Sequence, residues 1–337
     1  MNKFMDILFV VRKKNYDLVN DVLEKNIFNR YGFFLCSLKI FSNIYVYSDT
    51  QFLNKLLNDK FDHIIIDCKC FSKETNNELS KKIKILNLKV SILSYIDEQS
   101  KFINLLKIII HYNLKSQIKN IFVMNVFEKN SKTSKFFSKK TGIKIVSTHY
   151  GTGGSSVLYD MTKQAYHFNY KKKADPQINS IFYSGSISNR DKRNSRIHYI
   201  QDLSKLNIPN KRIIFFDQKN QELLRLSDSD YIYETLNSEI NIVLPGQFDN
   251  ITYRFYEVNI LNKFYLIDKH FLGMSISKLY KNLNDFVFHN INDLKSKINF
   301  YLNNPDKRLL VQTQQQFTFR NFYNISTHGK QIRNYFK

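Results

Sequence analysis

INIVLPGQFDNITYRFYEVNILNKFYLID, residues 240–268, is the stretch whose reading decides the fold. Ile240, Ile242 and Leu244 alternate with other residues, the pattern of a strand with one buried face. Pro245-Gly246 breaks that strand into a tight turn. Asp249, Asn250 and Thr252 can each accept from the free N–H groups that open a helix. The helix carries Ile251, Phe255 and Val258 inward. A second apolar run, 264–267, reads as the next strand and ends at Asp268. Strand, turn, helix, strand is the repeating unit of a parallel sheet. It places a loop and a helix N-terminus at the sheet's carboxyl edge, where open α/β sheets bind ligands and where phosphate is favoured.

Working outward, short apolar runs alternate with helical patterns through the first half. Strand candidates fall at 7–11, 44–47, 63–66, 90–93, 121–124 and 143–146, with helical stretches at 17–26, 51–58, 73–86 and 102–113 between several of them. The alternation predicts a parallel sheet covered on both faces. Polar residues end several runs at the ligand edge: Asp67, Asp97 and His149. STHYGTGGSS at 147–156 is the most loop-like segment and is not G-x-G-x-x-G, so its phosphate-loop signal is weak. Lys171 to Lys173 and Asp175-Pro176 read as a linker. A second α/β domain begins at Ile178. It has a strand at 180–184, a glycine turn at Gly185, the basic loop SISNRDKRNSR at 186–196, and a further strand at 212–216. The C-terminal part predicts a helix from 291 to 302, a stop at Asn304-Pro305, and a helix from 306 to about 324.

On the helix of the opening stretch, Arg254 and Glu257 lie three residues apart and share a face. A guanidinium suits phosphate oxygens and a carboxylate suits a sugar diol. By spacing alone the pair reads first as an exposed ion pair; its place behind a Pro-Gly turn at the mouth of a sheet is what favours the ligand reading. The run LPG, then TYRFYE, then an apolar strand resembles the sugar-nucleotide half of GT-B glycosyltransferases. It is most similar to exostosin-like and CgeB-like members, over residues 178–320. The resemblance implies an α/β chain of GT-B architecture, with two Rossmann-like parallel-sheet domains facing a central cleft. The expected domains are an acceptor-side domain at 1–172 and a nucleotide-sugar domain at 173–317. A C-terminal helix, about 318–337, is expected to pack back on the first. It further implies donor binding by Gly185, Ser186, Arg190, Pro245, Gly246, Asp249, Tyr253, Arg254 and Glu257, with Glu257 at the ribose hydroxyls. Arg193 and Arg196 are equal candidates for the phosphates. Retaining relatives carry a Glu where this chain has Asp249, so inversion and retention both stay open. An inverting reaction needs a base, for which His149, Asp97 and Asp67 are the candidates.

Composition bounds the rest. A length of 337 residues suits two domains, and 43% hydrophobic with 15% aromatic content supplies two cores. Lys and Arg number 51 against 29 Asp and Glu, a net charge of +22 that favours anionic partners without choosing among them. Cys36, Cys68 and Cys70 have neither disulfide-framework nor zinc spacing. Asp228-Ser229-Asp230 looks like a metal-binding D-x-D, but stands before a helical run and reads as capping. No bound metal or cofactor is therefore expected; the nucleotide-sugar is a substrate. No segment reaches the roughly 18 apolar residues of a membrane span. The expectation is a cytoplasmic transferase acting on a glycan or lipid-linked glycan. Contact with an anionic membrane surface is allowed and no nucleic-acid partner is expected. The alternatives are a basic nucleic-acid-binding protein and a non-catalytic scaffold of the same fold.

Overall fold

Ile7, Leu8, Phe9, Val10 and Val11 are all fully buried. A strand with no exposed face must be covered by layers on both sides, the signature of a parallel sheet inside helices. The computed structural model describes residues 4–25, 31–55, 61–72, 74–95, 99–124, 132–148, 159–160, 165–166, 178–187, 195–217, 226, 228–244, 252–273 and 275–336. The chain divides into two units, Met1–His167 with Asn324–Lys337, and Phe168–Tyr323.

In the first unit β1 (Met5–Val11), β2 (Ser42–Ser48), β3 (His63–Asp67), β4 (Val90–Tyr95), β5 (Ile118–Met124) and β6 (Lys144–Thr148) form one sheet in the order β2-β1-β3-β4-β5-β6. Every pairing in it is parallel. The connecting helices are α1 (Tyr16–Lys25), α2 (Gly32–Lys39), α3 (Asp49–Asn54), α4 (Asn76–Ile85), α5 (Gln99–His111) and α6 (Lys132–Thr141). Ser48 opens α3 with a capping box: its hydroxyl accepts from the Gln51 amide while the Gln51 side chain accepts from the Ser48 amide. Two of these helices, α2 and α6, lie outside the helical stretches marked in the sequence, and α2 shows why. Its residues GFFLCSLK are apolar on most sides, so no amphipathic period marks it, and Phe33, Phe34, Leu35 and Leu38 are all fully buried. Two short strands, β7 (Tyr159–Asp160) and β8 (Ala165–Tyr166), pair antiparallel.

The second unit holds β9 (Asn179–Ile187), β10 (Lys211–Asp217), β11 (Ser238–Val243), β12 (Tyr265–Asp268) and β13 (Val287–Phe288), in the order β10-β9-β11-β12-β13 and again all parallel. Its helices are α7 (Ser195–Lys205), α8 (Asp228–Leu236), α9 (Tyr253–Ile260), α10 (Leu283–Phe286), α11 (Ile291–Asn303) and α12 (Pro305–Phe322). β11, expected to be half-buried, is buried on both faces: Asn241 and Val243 are as enclosed as Ile240 and Ile242.

The predicted helix 306–324 ends earlier. Tyr323 leaves the helical region, and Asn324 starts a separate helix, α13 (Ile325–Arg333), by accepting from the Thr327 amide at 3.0 Å. α13 belongs to the first unit, where Gly329 and His328 lie against α2. The tail beyond it is core. Phe336 stacks on Phe122 with ring centroids 5.4 Å apart, and the Asn120 amide donates to the Tyr335 carbonyl at 2.9 Å.

Candidate active site

In the second unit the chain runs from β9 to β10 on one side, then crosses to β11 on the other. β9 and β11 therefore flank the topological switch point, where a parallel sheet opens a crevice at its carboxyl edge. The β9–β11 pairing runs from Ser238–Asn179 to Asn241–Phe182, while β11 continues on β12 as far as Val243–Ile267. Two strands that part leave backbone carbonyls facing the gap, and buried carbonyls need donors.

Arg254 supplies them. From the first turn of α9 its Nε donates to the Ile242 carbonyl at 2.8 Å and its Nη2 to the Phe182 carbonyl at 3.1 Å. Nη2 also reaches Asn241 Oδ1 at 3.2 Å, and Nη1 donates to the Tyr231 hydroxyl at 3.1 Å. The guanidinium lies over the Phe182 ring at 4.5 Å and is 4% exposed. Four of its contacts are internal, so it bridges the parting strands from beneath. This corrects the expectation that the side chain reaches out to a donor phosphate.

Glu257, one turn on, is partly exposed and its Oε2 accepts from the Tyr231 hydroxyl at 2.6 Å. The two residues that sequence spacing placed on one face are thus joined through a tyrosine of α8. Burial drives the Tyr231 phenol far above its ordinary pKa; Arg254 opposes that and Glu257 adds to it, so the phenol stays protonated. Thr252 does precede α9, but its hydroxyl donates to the Leu244 carbonyl at 3.3 Å instead of capping the helix.

Across the gap, Gly185 stands near the carboxyl end of β9. A Cβ there would collide with the Arg196 guanidinium and the Tyr183 hydroxyl, so only glycine admits this close approach. Arg196, in the first turn of α7, donates from Nε to the Tyr183 hydroxyl at 2.9 Å. Tyr183 in turn is 5.7 Å from the Arg254 guanidinium. Gly185, Arg196, Tyr183, Arg254, Tyr231 and Glu257 form one unbroken string along this edge. Among the three arginines of the basic loop, Arg196 is the one seen at Gly185; Arg190 and Arg193 lie outside the described residues. So do Pro245, Gly246 and Asp249, and for Ser186 and Tyr253 only the backbone is described.

Sequence reasoning missed Tyr231, Tyr183 and Asn241. Asn241 interrupts an apolar strand, the available signal, but on a strand read as half-buried it falls on the solvent side. The reading also missed Asp268 and His270. Asp268 is 1% exposed at the carboxyl end of β12, and its Oδ1 accepts from the His270 amide at 3.0 Å and meets the His270 Nδ1.

In the first unit Asp67 ends β3 fully buried. Its Oδ2 accepts from the Tyr31 hydroxyl at 2.6 Å and its Oδ1 from the Lys69 amide at 2.9 Å, which caps a 3-10 turn at Cys68–Cys70. With both oxygens so engaged it anchors a strand end, contrary to the expectation of an edge carboxylate ready to take a proton. His149 and Asp97 lie outside the described residues. Among the described residues no cluster of His, Cys, Asp and Glu could hold a metal ion, and Asp228 and Asp230 sit in the first turn of α8.

Two doubly wound parallel sheets on one chain, with the polar string at the switch point of the second, define the GT-B architecture. Solved structures share it end to end. The chain is similar to the β-glucosyltransferase of phage T4, solved with UDP-glucose, at 14% identity and a TM-score of 0.53, covering 99% of this chain and 100% of that one. A structure of a DNA-modifying β-glucosyltransferase matches at 14% identity and TM-score 0.54, covering 98% and 99%. HepE from Anabaena, solved with UDP and glucose, matches at 11% identity and TM-score 0.53, covering 98% of each chain. No protein-family model and no curated protein sequence matches the chain.

Proposed function

We propose that the protein is a glycosyltransferase that moves a sugar from a nucleotide-sugar donor to a glycan or lipid-linked glycan. The observation that carries this reading is the string from Gly185 to Glu257 at the switch point of the second sheet. It puts a guanidinium where backbone can approach closely and a carboxylate a short way along the same edge. In this reading Arg196 faces the donor diphosphate and offsets the charge that grows on the leaving group, which lets the reaction run without a resident metal. Glu257 takes the ribose hydroxyls, and Arg254 supports both from below. The LPG and TYRFYE runs favour the exostosin-like and CgeB-like branch. His149 and Asp97 remain the proposed bases.

An open groove of about 610 Å³, lined by Leu279, Tyr280, Phe286, Val311 and Phe317 with Lys281 at its side, supports an acceptor that carries a lipid. A second reading has its own support: the acceptor is nucleic acid. One solved relative is described as a DNA-modifying enzyme, and the charge of +22 suits a polyanion.

Thermal shift with UDP, GDP, CMP and dTDP tests the donor reading, since a ligand of the native state raises the melting temperature. At least one nucleotide is expected to raise it, and Arg196→Ala to abolish the rise. No response to any of the four overturns the proposal.

A further inference from the structure

We infer that Tyr231 is a positioning residue, holding the Glu257 carboxylate in the orientation that receives the donor's ribose hydroxyls. The inference rests on the nucleotide-sugar reading above and adds to it a residue that neither the sequence pattern nor the comparisons point to.

A phenol carries one proton and two lone pairs. Arg254 cannot accept, so its Nη1 must donate to the Tyr231 oxygen, at 3.1 Å. The phenolic proton then points to Glu257 Oε2, at 2.6 Å, the short distance of a charge-assisted bond. The direction of every bond in the chain is thereby settled. Arg254 is itself anchored to the Ile242 and Phe182 carbonyls and to Asn241, two of them backbone atoms of the sheet. The orientation of Glu257 is therefore inherited from the sheet through two side chains. Tyr231 is further held by Phe182, whose ring centroid is 6.0 Å from its own.

A carboxylate grips a vicinal diol only when both hydroxyl protons meet its two oxygens together. A glutamate on a helix surface turns through several rotamers and loses that freedom on binding. Tying Oε2 to a partly buried phenol removes much of that freedom beforehand. Tyr231 touches no substrate in this arrangement; it acts through Glu257.

The experiment is isothermal titration of the full chain with UDP and 2′-deoxy-UDP, taking the ratio of the two Kd values. Wild type is expected to favour UDP by about tenfold or more, the scale of one hydrogen bond to a charged group. Tyr231→Phe is expected to bring the ratio most of the way to one by weakening UDP alone. Glu257→Ala should do the same. A ratio cancels any loss of folded protein, so a purely structural role of Tyr231 leaves it unmoved. If Tyr231→Phe does not fold, Tyr231→Met, which also lacks the phenol, is measured instead with the same expectation. A variant that retains the wild-type ratio overturns the positioning role and leaves the donor reading standing. A wild type that binds both nucleotides equally overturns it too. A wild type that binds neither overturns it together with a UDP donor.

Discussion

Arg254 satisfies four acceptors from one buried guanidinium, two of them carbonyls of the parting strands β9 and β11. Removing it takes this donor from two buried carbonyls and from Asn241 Oδ1, and breaks the link to Tyr231. Arg254→Ala is expected to destabilise the second unit by about 3–5 kcal/mol, the range for breaking a buried charged network. Arg254→Lys, whose ammonium lacks the planar fork, recovers only part of this. Urea unfolding followed by circular dichroism checks both; a loss under about 1 kcal/mol for the alanine variant would contradict the bridging role. Gly185 makes a second prediction at this scale. Gly185→Ala drives a methyl into the Arg196 guanidinium, which can move away, and into the hydroxyl and ring of the buried Tyr183, which cannot. Stability is expected to fall by about 1–3 kcal/mol and nucleotide affinity by about tenfold or more, measured by urea unfolding and by titration with UDP.

At the scale of elements, the contact between α13 and α2 decides how the C-terminus joins the first unit. At Gly329 a Cβ would stand 2.7 Å from the Ser37 carbonyl oxygen, and backbone cannot step aside as a side chain does. Gly329→Ala is expected to cost about 1–3 kcal/mol by forcing the two helices apart. His328, its neighbour, is 4% exposed and packs on Phe33, and burial lowers its pKa from 6.5 to about 4. The unfolded chain takes up this proton below about pH 6.5, the native state only near 4. Stability from this group is therefore whole above pH 6.5 and falls as pH drops through that window, by on the order of 3 kcal/mol at 1.36 per unit. Melting temperatures between pH 7 and 4.5 should show the fall, and His328→Phe should flatten it. The return of the C-terminal helix to the first domain was expected from the resemblance, but its partners were not readable along the chain: residues 324–336 meet Phe33, Ser37, Ile40, Phe41, His63, Asn120, Phe122 and Lys144, joined only by folding.

For the whole molecule, the net charge of +22 and the apolar groove beside α12 point to different acceptors, and salt separates them. Binding to a duplex DNA probe by a chain that displaces phosphate counterions falls steeply between 50 and 200 mM salt, by roughly a thousandfold for six phosphate contacts. Insertion of a lipid tail into the groove depends on apolar area and is little screened. The lipid-linked reading predicts sedimentation with vesicles containing phosphatidylglycerol that survives 200 mM salt, and its loss in Phe317→Asp, whose parent side chain is 70% exposed. Sedimentation unaffected by that substitution would count against the groove as the lipid site.

The order of elements was settled by local physics. Apolar runs of strand length alternating with helical periods can be covered on both faces only as a parallel sheet, and that alternation is written along the chain from Ile7 to Asp268. The same local reading put Arg254 and Glu257 near each other and a glycine at the end of β9. Which arginine faces outward was decided elsewhere. Arg254 turns inward because β9 and β11 part above Phe182 and Asn241, leaving carbonyls that only a long donor can reach. Asp67 turns inward because Tyr31, thirty-six residues away, has a hydroxyl to give it. A side chain's direction follows from which buried polar groups lack partners, and those groups meet only when distant strands and helices have been brought together.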